Sequence, residues 1–251
     1  MKTYHWVTII LVIVLVGGGI LWTLSRNQNT EVKDETSQTS TSETEDQNSN
    51  SNSTQDQANN QKSTADAGCS RNVNDKLMLQ PINIKNQFVT LSVENFGDIK
   101  VQLYDKDAPK AVENFLRLTN SGYYDCLTFH RIAKGFVIQG GDPTGTGTGG
   151  QSAFGEDFED ELDPNTPSAK EGYKHGVLAM ANRGPNTNSS QFFIMLADNQ
   201  LPHNYTIFGK VVSGLDVVDK IGAVPITPQM GPTDGTPKEK VVISKAVISD
   251  K

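Results

Sequence analysis

The pattern of hydrophobic and polar positions divides the chain into three parts. Residues 6–24 form an uncharged apolar run, residues 27–75 contain few apolar side chains, and from about residue 78 apolar and polar residues alternate over short stretches. This alternation has the two-residue period of a β-strand, in which successive side chains point to opposite faces. The pattern therefore predicts a β-rich domain that follows two segments of different character.

Eight short strands are predicted in this domain. Residues 88–93 and 99–104 flank the turn sequence Asn95-Phe96-Gly97-Asp98 and are predicted to form a hairpin. Many short strands with Gly-rich connections favour a closed antiparallel barrel. The other predicted strands cover residues 127–132, 135–140, 176–181, 191–196, 206–212 and 241–248.

Only two helices are predicted. Pro109 stands where the first begins, and the helix continues to about Asn120, with Gly122 just beyond its end. The second is predicted from Leu215 to Ile221. The apolar face of the first helix consists of Val112, Phe115, Leu116 and Leu118.

The apolar run of residues 6–24 has the length of a membrane span. At the helical rise its 19 residues cover roughly 28 Å, close to the hydrocarbon thickness of a bilayer. No Ala-x-Ala-like cleavage site follows Leu24, so an uncleaved anchor is favoured over a cleaved signal peptide. We therefore expect residues 1–26 to anchor the protein by a single N-terminal helix, with the folded domain extracytoplasmic.

Composition supports a second, unpacked segment. Residues 27–75 hold nine acidic and three basic side chains among Ser, Thr, Asn and Gln, and such a segment buries too little apolar surface to fold. We predict a disordered acidic linker over residues 27–76 and a folded domain over residues 77–251. The formal net charge of −7 argues against nucleic acid as a partner, because binding phosphates requires a basic surface. A monomer is expected.

The cysteines and histidines do not indicate a metal site. Cys69 and Cys126 belong to no Cys-x-x-Cys motif, and the four histidines lack metal-ligand spacing. A disulfide between the two cysteines would form in an oxidising compartment. The sequence leaves this open, and two free thiols are the preferred interpretation.

Three segments carry the candidate chemistry: residues 129–142 (FHRIAKGFVIQGGD), 180–196 (MANRGPNTNSSQFFIML) and 201–209 (LPHNYTIFG). In this order and at these intervals, they resemble the cyclophilins over roughly residues 83–250. The resemblance implies a closed eight-stranded antiparallel barrel with two helices, behind the transmembrane helix and disordered linker predicted above. It also implies peptidyl-prolyl cis/trans isomerase activity without a cofactor, on proline-containing polypeptide clients, here extracytoplasmic proteins whose folding it would assist.

The resemblance also implies roles for individual residues. Arg131 matches the family's catalytic arginine, and Phe136 and Gln139 are assigned with it to catalysis. The positions assigned to substrate binding are Val137, Gly147, Ala181, Asn182, Gln191, Phe193, Leu201 and Tyr205. No metal ligand is implied.

An arginine suits this reaction for a physical reason. The amide C–N bond resists rotation with a barrier of about 18–20 kcal/mol because nitrogen shares its lone pair with the carbonyl. In the twisted state that lone pair is localised on nitrogen, and a permanently charged guanidinium can donate a hydrogen bond to it. Phe136, Val137 and Phe193 would hold the pyrrolidine ring, while Gln139 and Asn182 would hold the substrate backbone.

Some residues depart from the family pattern or admit another interpretation. Gln200 stands where many cyclophilins have the tryptophan that contacts cyclosporin, and Tyr205 where many have histidine. For His130, a buried structural imidazole is preferred over a general base. The Gly-rich run of residues 140–150 lacks the Gly-Lys-Ser/Thr ending of a phosphate-binding loop. The acidic residues between 156 and 163 fit a solvated turn better than a Ca²⁺ site. A proline-binding module with little turnover is the alternative to an enzyme.

Overall fold

A computed structural model describes residues 69–249, which form eleven strands and four helices. The helices are α1 (Asp75–Met78), α2 (Pro109–Asn120), α3 (Pro167–Glu171) and α4 (Leu215–Ala223). The strands are β1 (Phe88–Val93), β2 (Gly97–Leu103), β3 (Leu127–Thr128), β4 (Arg131–Ala133), β5 (Val137–Gly140), β6 (Val177–Met180), β7 (Phe192–Met195), β8 (Ile207–Ser213), β9 (Ile226–Gly231), β10 (Asp234–Pro237) and β11 (Val242–Ser249).

All eleven strands belong to one sheet, and its order is β3-β11-β1-β2-β8-β6-β7-β5-β4-β10-β9. The strand pairings are antiparallel. The end strands β3 and β9 do not pair with each other within residues 69–249, so the sheet is a half-barrel. The all-β prediction is therefore correct in class, but the prediction of a closed eight-stranded barrel with two helices is wrong.

The difference in strand number has two local causes. The predicted strand 127–132 is divided, because β3 pairs with β11 whereas β4 pairs with β5 and β10. The β9–β10 hairpin was not predicted, since only the first residue of β9, Ile226, is buried and no alternation marks the strand. Together these changes turn eight predicted strands into eleven. The helices α1 and α3 were also missed, and both are short, at four and five residues.

The membrane-anchored localisation also requires correction. Within residues 69–249 no helix combines the length and the apolar character that crossing a bilayer requires. The predicted anchor (residues 1–26) and the predicted linker, except for residues 69–76, lie outside the described residues. The part of the chain that the structure describes therefore gives no support to a transmembrane helix or to the membrane-anchored localisation derived from it.

The core lies between the concave face of the sheet and helix α2. Pro109 occupies the first turn of α2, and Glu161 accepts hydrogen bonds from the backbone N–H groups of Lys110 and Ala111 at 3.0 and 2.9 Å. These contacts satisfy donors that a helix N-terminus leaves free. Phe115 on the buried face of α2 is 0% exposed. Burying such a side chain stabilises the fold by roughly 1.5–3 kcal/mol. Its ring contacts those of Tyr124, Phe192 and Phe208.

A disulfide joins Cys69 to Cys126, with 5.6 Å between the Cα atoms and a sequence separation of 57. The preferred expectation of two free thiols is therefore wrong. The bridge fixes the segment that precedes α1 beside the start of β3. Arg71, in the same segment, lies over the ring of Tyr123 at 5.3 Å. Residues 69–76, which were assigned to the linker, thus contact the domain.

Candidate active site

A row of side chains crosses four neighbouring strands on the outer face of the sheet. Arg131 on β4 pairs in register with Gln139 on β5. Gln139 pairs in turn with Phe193 on β7, and Phe193 with Ala179 on β6. Residues in direct register project to the same face of a sheet. Their sequence neighbours point to the opposite face and are fully buried; these are Ile132, Ile138, Ile194 and Leu178. The row therefore lies on the face of the sheet opposite the core, and its Arg131 end is partly exposed whereas Phe193 and Ala179 are buried.

Hydrogen bonds connect one end of this row to the loop that follows β5. Arg131 Nη1 donates to Gln139 Oε1 at 2.8 Å, and Gln139 Nε2 donates to Gln191 Oε1 at 2.9 Å. Gln191 Nε2 then donates to the carbonyl oxygens of Gly147 and Gly149 at 3.0 and 2.8 Å. Because arginine can only donate, it determines the orientation of each amide in the chain. The structure thus brings together four predicted site residues: Arg131, Gln139, Gln191 and Gly147.

The other side of the arginine contacts an aspartate that the sequence did not reveal. Arg131 Nε and Nη2 donate to Asp234 Oδ1 and Oδ2 at 2.9 and 2.7 Å. This is a bidentate pair, the geometry that matches a guanidinium to a carboxylate. Asp234 lies 103 residues from Arg131, on a strand that has no alternating pattern. No local signal in the sequence could have indicated the contact.

An apolar cluster lies next to the arginine on the same face. Phe193 and Val137 are 6% and 2% exposed, and Phe136 is half-buried against them. The ring of Tyr205 meets that of Phe193 edge-on, with 5.6 Å between centroids. Six of the residues predicted to contact substrate belong to this cluster; these are Phe136, Val137, Ala181, Phe193, Leu201 and Tyr205.

The segment that carries Leu201 and Tyr205 is held by a tyrosine that the sequence analysis did not single out. The Tyr173 hydroxyl donates to the backbone carbonyl of Tyr205 at 2.8 Å and accepts from its backbone N–H at 3.1 Å. Burial raises the pKa of Tyr173 to about 12, so the hydroxyl remains a donor at neutral pH. Tyr173 also borders a cavity of about 300 Å³, together with Leu201 and His203.

Asn182 is engaged within the protein. Its amide nitrogen donates to the carbonyl of Asn204 at 2.9 Å and to Asp160 Oδ1 at 3.4 Å. Its amide oxygen accepts from the Gly184 N–H at 3.3 Å. The side chain therefore links the segment after β6 to the segment that carries Tyr205, and its contact with substrate stays a prediction.

The Gly-rich loop after β5 is organised around one buried carboxylate. Asp142 is 1% exposed and accepts backbone hydrogen bonds from Thr144, Thr146, Gly147 and Gly149, besides one from the Thr144 hydroxyl. Burial raises the pKa of Asp142, but the hydrogen bonds outweigh burial and leave the pKa below its ordinary value. Gly147 has φ +85°, a conformation that favours glycine. The loop thus presents the Gly147 carbonyl to Gln191.

His130 directly precedes Arg131 in the chain. It is 7% exposed, as the expectation of a buried imidazole requires. Neither ring nitrogen has a hydrogen-bond partner of normal geometry among residues 69–249, although the backbone of Thr128 is close enough to raise the pKa of the ring. Burial lowers its pKa, and the nearby charge of Arg131 lowers it further, while that of Asp142 acts in the opposite direction. The imidazole is therefore a neutral packing element.

The acidic residues between 156 and 163 contact other parts of the protein. Asp157 pairs with Arg183, Glu159 pairs with Lys110, and Glu161 accepts from the N-terminus of α2. In the part of the chain that the structure describes, no three His, Cys, Asp or Glu side chains are grouped so that they could hold a metal ion.

A family model matches most of the described residues. Residues 88–248 match the model of the cyclophilin type peptidyl-prolyl cis-trans isomerases. The matched range begins with β1 and ends within β11, so it contains every residue of the outward row and of the hydrogen-bonded chain.

Curated relatives agree with this match. The chain is 53% identical over 133 residues to a "peptidyl-prolyl cis-trans isomerase-like 1" from Neurospora crassa, covering 51% of this chain and 77% of that protein. It is 50% identical over 141 residues to the Homo sapiens protein with the same name, covering 56% of this chain and 82% of the human one.

Solved structures show the same likeness. A crystal structure of a cyclophilin type peptidyl-prolyl cis-trans isomerase from Cryptosporidium parvum aligns with TM-score 0.59 and 40% sequence identity, covering 66% of this chain and 99% of that one. A second structure of that protein, in the presence of the dipeptide Ala-Pro, aligns with the same score and identity.

Proposed function

The chain belongs to the cyclophilin-type peptidyl-prolyl cis-trans isomerases, and from this premise we propose that Arg131 is its catalytic residue and the neighbouring apolar cluster its proline pocket. Isomerisation of X–Pro bonds is the activity of the family, so the chain is an enzyme of this type. The assignment of its residues is our proposal. The observation that carries it is a partly exposed guanidinium held at the edge of an apolar cluster by two side-chain partners.

The cluster is suited to the proline ring. A pyrrolidine is small, apolar and rigid, and the half-buried Phe136 with the nearly buried Phe193 and Val137 offers it an apolar wall. Leu201 and Tyr205 border the same wall. Immobilising the ring on one side of the X–Pro bond leaves the preceding carbonyl free to rotate.

The polar side of the groove would hold the substrate backbone. Gln139 and Gln191 are linked to one another and to the Gly147 carbonyl, so their orientation exists before substrate binds. We assign these three residues, with Ala181 and Asn182, to the contacts that fix the peptide. Pre-oriented groups cost less entropy on binding than mobile ones.

Arg131 would act on the twisted amide. In planar X–Pro bonds the nitrogen lone pair is delocalised, and the barrier to rotation is about 18–20 kcal/mol. Rotation localises the lone pair on nitrogen, and an N–H of Arg131 can then donate to it. The interaction is stronger in the transition state than in either isomer, which is the condition for raising the rate.

An exchange measurement on an Ala-Pro-containing peptide tests this assignment. The full chain should accelerate cis/trans exchange, and Arg131→Ala should lower kcat/KM by about 100-fold or more, the loss found for single transition-state donors. Lys220→Ala is the matched control, since Lys220 forms an exposed pair with Asp216 on α4. Near-normal activity in Arg131→Ala, with a normal melting temperature, would remove Arg131 from the mechanism.

We also propose that the enzyme assists the folding of extracytoplasmic proteins, acting as a monomer through a domain of residues 77–251 to which the Cys69–Cys126 disulfide attaches the preceding segment. The support is the Cys69–Cys126 disulfide, since disulfides persist in oxidising compartments. The proposal includes no membrane anchor. The full chain should speed the slow, proline-limited refolding of a disulfide-bonded secreted protein under oxidising conditions, whereas Arg131→Ala should not. Equal refolding rates with and without the enzyme would contradict the proposed role in folding. Light scattering tests whether the protein is a monomer in solution.

A further inference from the structure

We infer that Asp234 is a positioning residue for catalysis, which holds the Arg131 guanidinium in the orientation that the reaction needs. The inference rests on the proposed function of Arg131. Both Asp234 oxygens accept from the arginine, Oδ1 from Nε at 2.9 Å and Oδ2 from Nη2 at 2.7 Å. The two side chains are 19% and 26% exposed, so the pair lies at the rim of the groove.

The irregular β9–β10 hairpin positions Asp234 beside Arg131. Strand β10 pairs with β4 so that Asp234 faces Ala133, two residues beyond Arg131 on the same face. The pairing of β10 with β9 shifts register between Asp234 and Gly235. A side chain at Gly235 would clash with the backbone carbonyl of Thr227 at 2.0 Å, so the hairpin closes tightly at this point. Irregularities of this kind re-aim side chains next to active sites.

A lysine fixes the hairpin from its other side. Lys134, directly after β4, donates from its backbone N–H to the carbonyl of Thr233 at 2.8 Å. Its ammonium group donates to three carbonyls at the C-terminal end of α4, the helix that leads into β9. Lys134 thus holds both the C-terminal end of α4 and the residue before Asp234 next to the end of β4, the strand that carries Arg131.

Together, Asp234 and Gln139 determine which donors of the guanidinium remain for substrate. An arginine has five N–H donors. Asp234 takes the one on Nε and one on Nη2, and Gln139 takes one on Nη1. One N–H on each terminal nitrogen then has no partner among residues 69–249. Without Asp234, the guanidinium of Arg131 is held only by the hydrogen bond from Nη1 to Gln139, and it can rotate about that bond.

The carboxylate also offsets part of the positive charge of Arg131, which by itself would weaken catalysis. This effect is small at a rim position, because water screens charges there far more than in a protein interior. Water does not reduce the effect of misorienting the Arg131 guanidinium, because a displacement of about 1 Å removes its hydrogen bond to the prolyl nitrogen. The positioning effect of Asp234 is therefore the larger one.

The test compares Asp234→Ala and Asp234→Asn with wild type in the full chain, using the same exchange measurement. We expect kcat to fall about tenfold in Asp234→Ala with KM within twofold, because the proline pocket is unchanged. Asp234→Asn keeps the shape and one acceptor oxygen, so a smaller loss of about threefold is expected. Asp216→Ala on α4 is the matched control, as this exposed aspartate pairs with Lys220 away from the groove.

A double-mutant comparison separates positioning from other roles. In an Arg131→Ala background, Asp234→Ala should cause no further loss of the residual rate, which is measured at high enzyme concentration. An unchanged kcat in Asp234→Ala, or the same tenfold loss without the arginine, would overturn the inference. If Asp234→Ala fails to fold, Asp234→Asn decides by the same criteria. Full activity in Arg131→Ala alone would instead contradict the proposed function.

Discussion

Arg131 and Gln139 are direct cross-strand partners on β4 and β5, and Arg131 Nη1 donates to Gln139 Oε1 at 2.8 Å. Accepting this bond turns the other end of the Gln139 amide towards Gln191, whose Oε1 accepts at 2.9 Å. One amide therefore couples the proposed catalytic donor to the side chains proposed to hold the substrate backbone. Because each group in this chain orients the next, replacing Gln139 should affect more than one contact.

Gln139→Leu keeps the approximate size of the side chain but removes both hydrogen bonds. A bond to a charged group contributes roughly 1.5–3 kcal/mol, so kcat/KM should fall by about 10- to 100-fold. Exchange spectroscopy on an Ala-Pro peptide measures the change. Gln102→Leu, at an exposed position on β2, is the control and should stay within twofold of wild type. Equal rates for the two variants would mean that Gln139 does not take part.

Tyr173→Phe tests whether the segment that carries Tyr205 must be held in place. The change removes only the hydroxyl that donates to the Tyr205 carbonyl and accepts from its N–H. We expect a loss of about 1 kcal/mol in the free energy of unfolding, as for other single hydrogen-bonding groups. KM should rise severalfold with kcat nearly unchanged, because the proline pocket loosens while Arg131 keeps its partners.

Steady-state kinetics and urea denaturation of Tyr173→Phe provide these two numbers. A fall in kcat at constant KM would contradict the prediction, because it would place the effect of the hydroxyl on the chemical step. An unchanged KM together with lower stability would show that the segment holds its position without this hydroxyl.

Cys69→Ser/Cys126→Ser tests what the disulfide contributes. The bridge joins cysteines with a sequence separation of 57, for which the chain-entropy model gives a contribution of about 4 kcal/mol, with measured values typically about 2–4 kcal/mol. The double variant should unfold at a lower urea concentration by that free energy, and dithiothreitol should destabilise wild type but not the variant. Activity at 25 °C should stay within twofold, because the bridge lies outside the proposed groove. A loss of activity in a folded variant would contradict this.

Much of the candidate site could be assigned from the family resemblance because the motifs that carry it are contiguous segments whose residues lie on adjacent regular strands. Residues 129–142 contain β4 and β5, so Arg131 and Gln139 become cross-strand partners through a short turn. Helix α2 was also predicted with the right bounds, since Pro109 marks its start and its apolar spacing is regular.

The parts that could not be predicted depend on long-range contacts between irregular segments. The contact from Arg131 to Asp234 spans 103 residues and uses a hairpin whose first strand is mostly exposed. Tyr173 holds Tyr205 through a hydroxyl that has no sequence signature. Whether a sheet closes into a barrel depends on the number of its strands and on whether its two edge strands pair. No local pattern of residues indicates whether these strands pair.

His130 predicts how stability depends on pH. Burial lowers the pKa of this imidazole below its ordinary value of about 6.5. As the pH falls below about 6.5, the unfolded chain therefore takes up a proton before the folded chain does. The contribution of the neutral imidazole is complete above that pH and is lost as the pH falls towards the folded-state pKa.

His130→Leu removes this titration and should flatten the pH dependence. Urea denaturation at pH 7.5 and at pH 5.0 measures the free energy of unfolding of both proteins. Wild type should lose more stability than His130→Leu between these two values, because only wild type must take up a proton at a buried ring whose pKa burial lowers. Asp142 raises and Arg131 lowers the pKa of the ring in wild type, so the comparison measures the net effect of burial and these two opposed charges. Identical losses in the two proteins would show that His130 is protonated as readily in the folded chain as in the unfolded one, and the neutral packing role assigned to it would then be wrong.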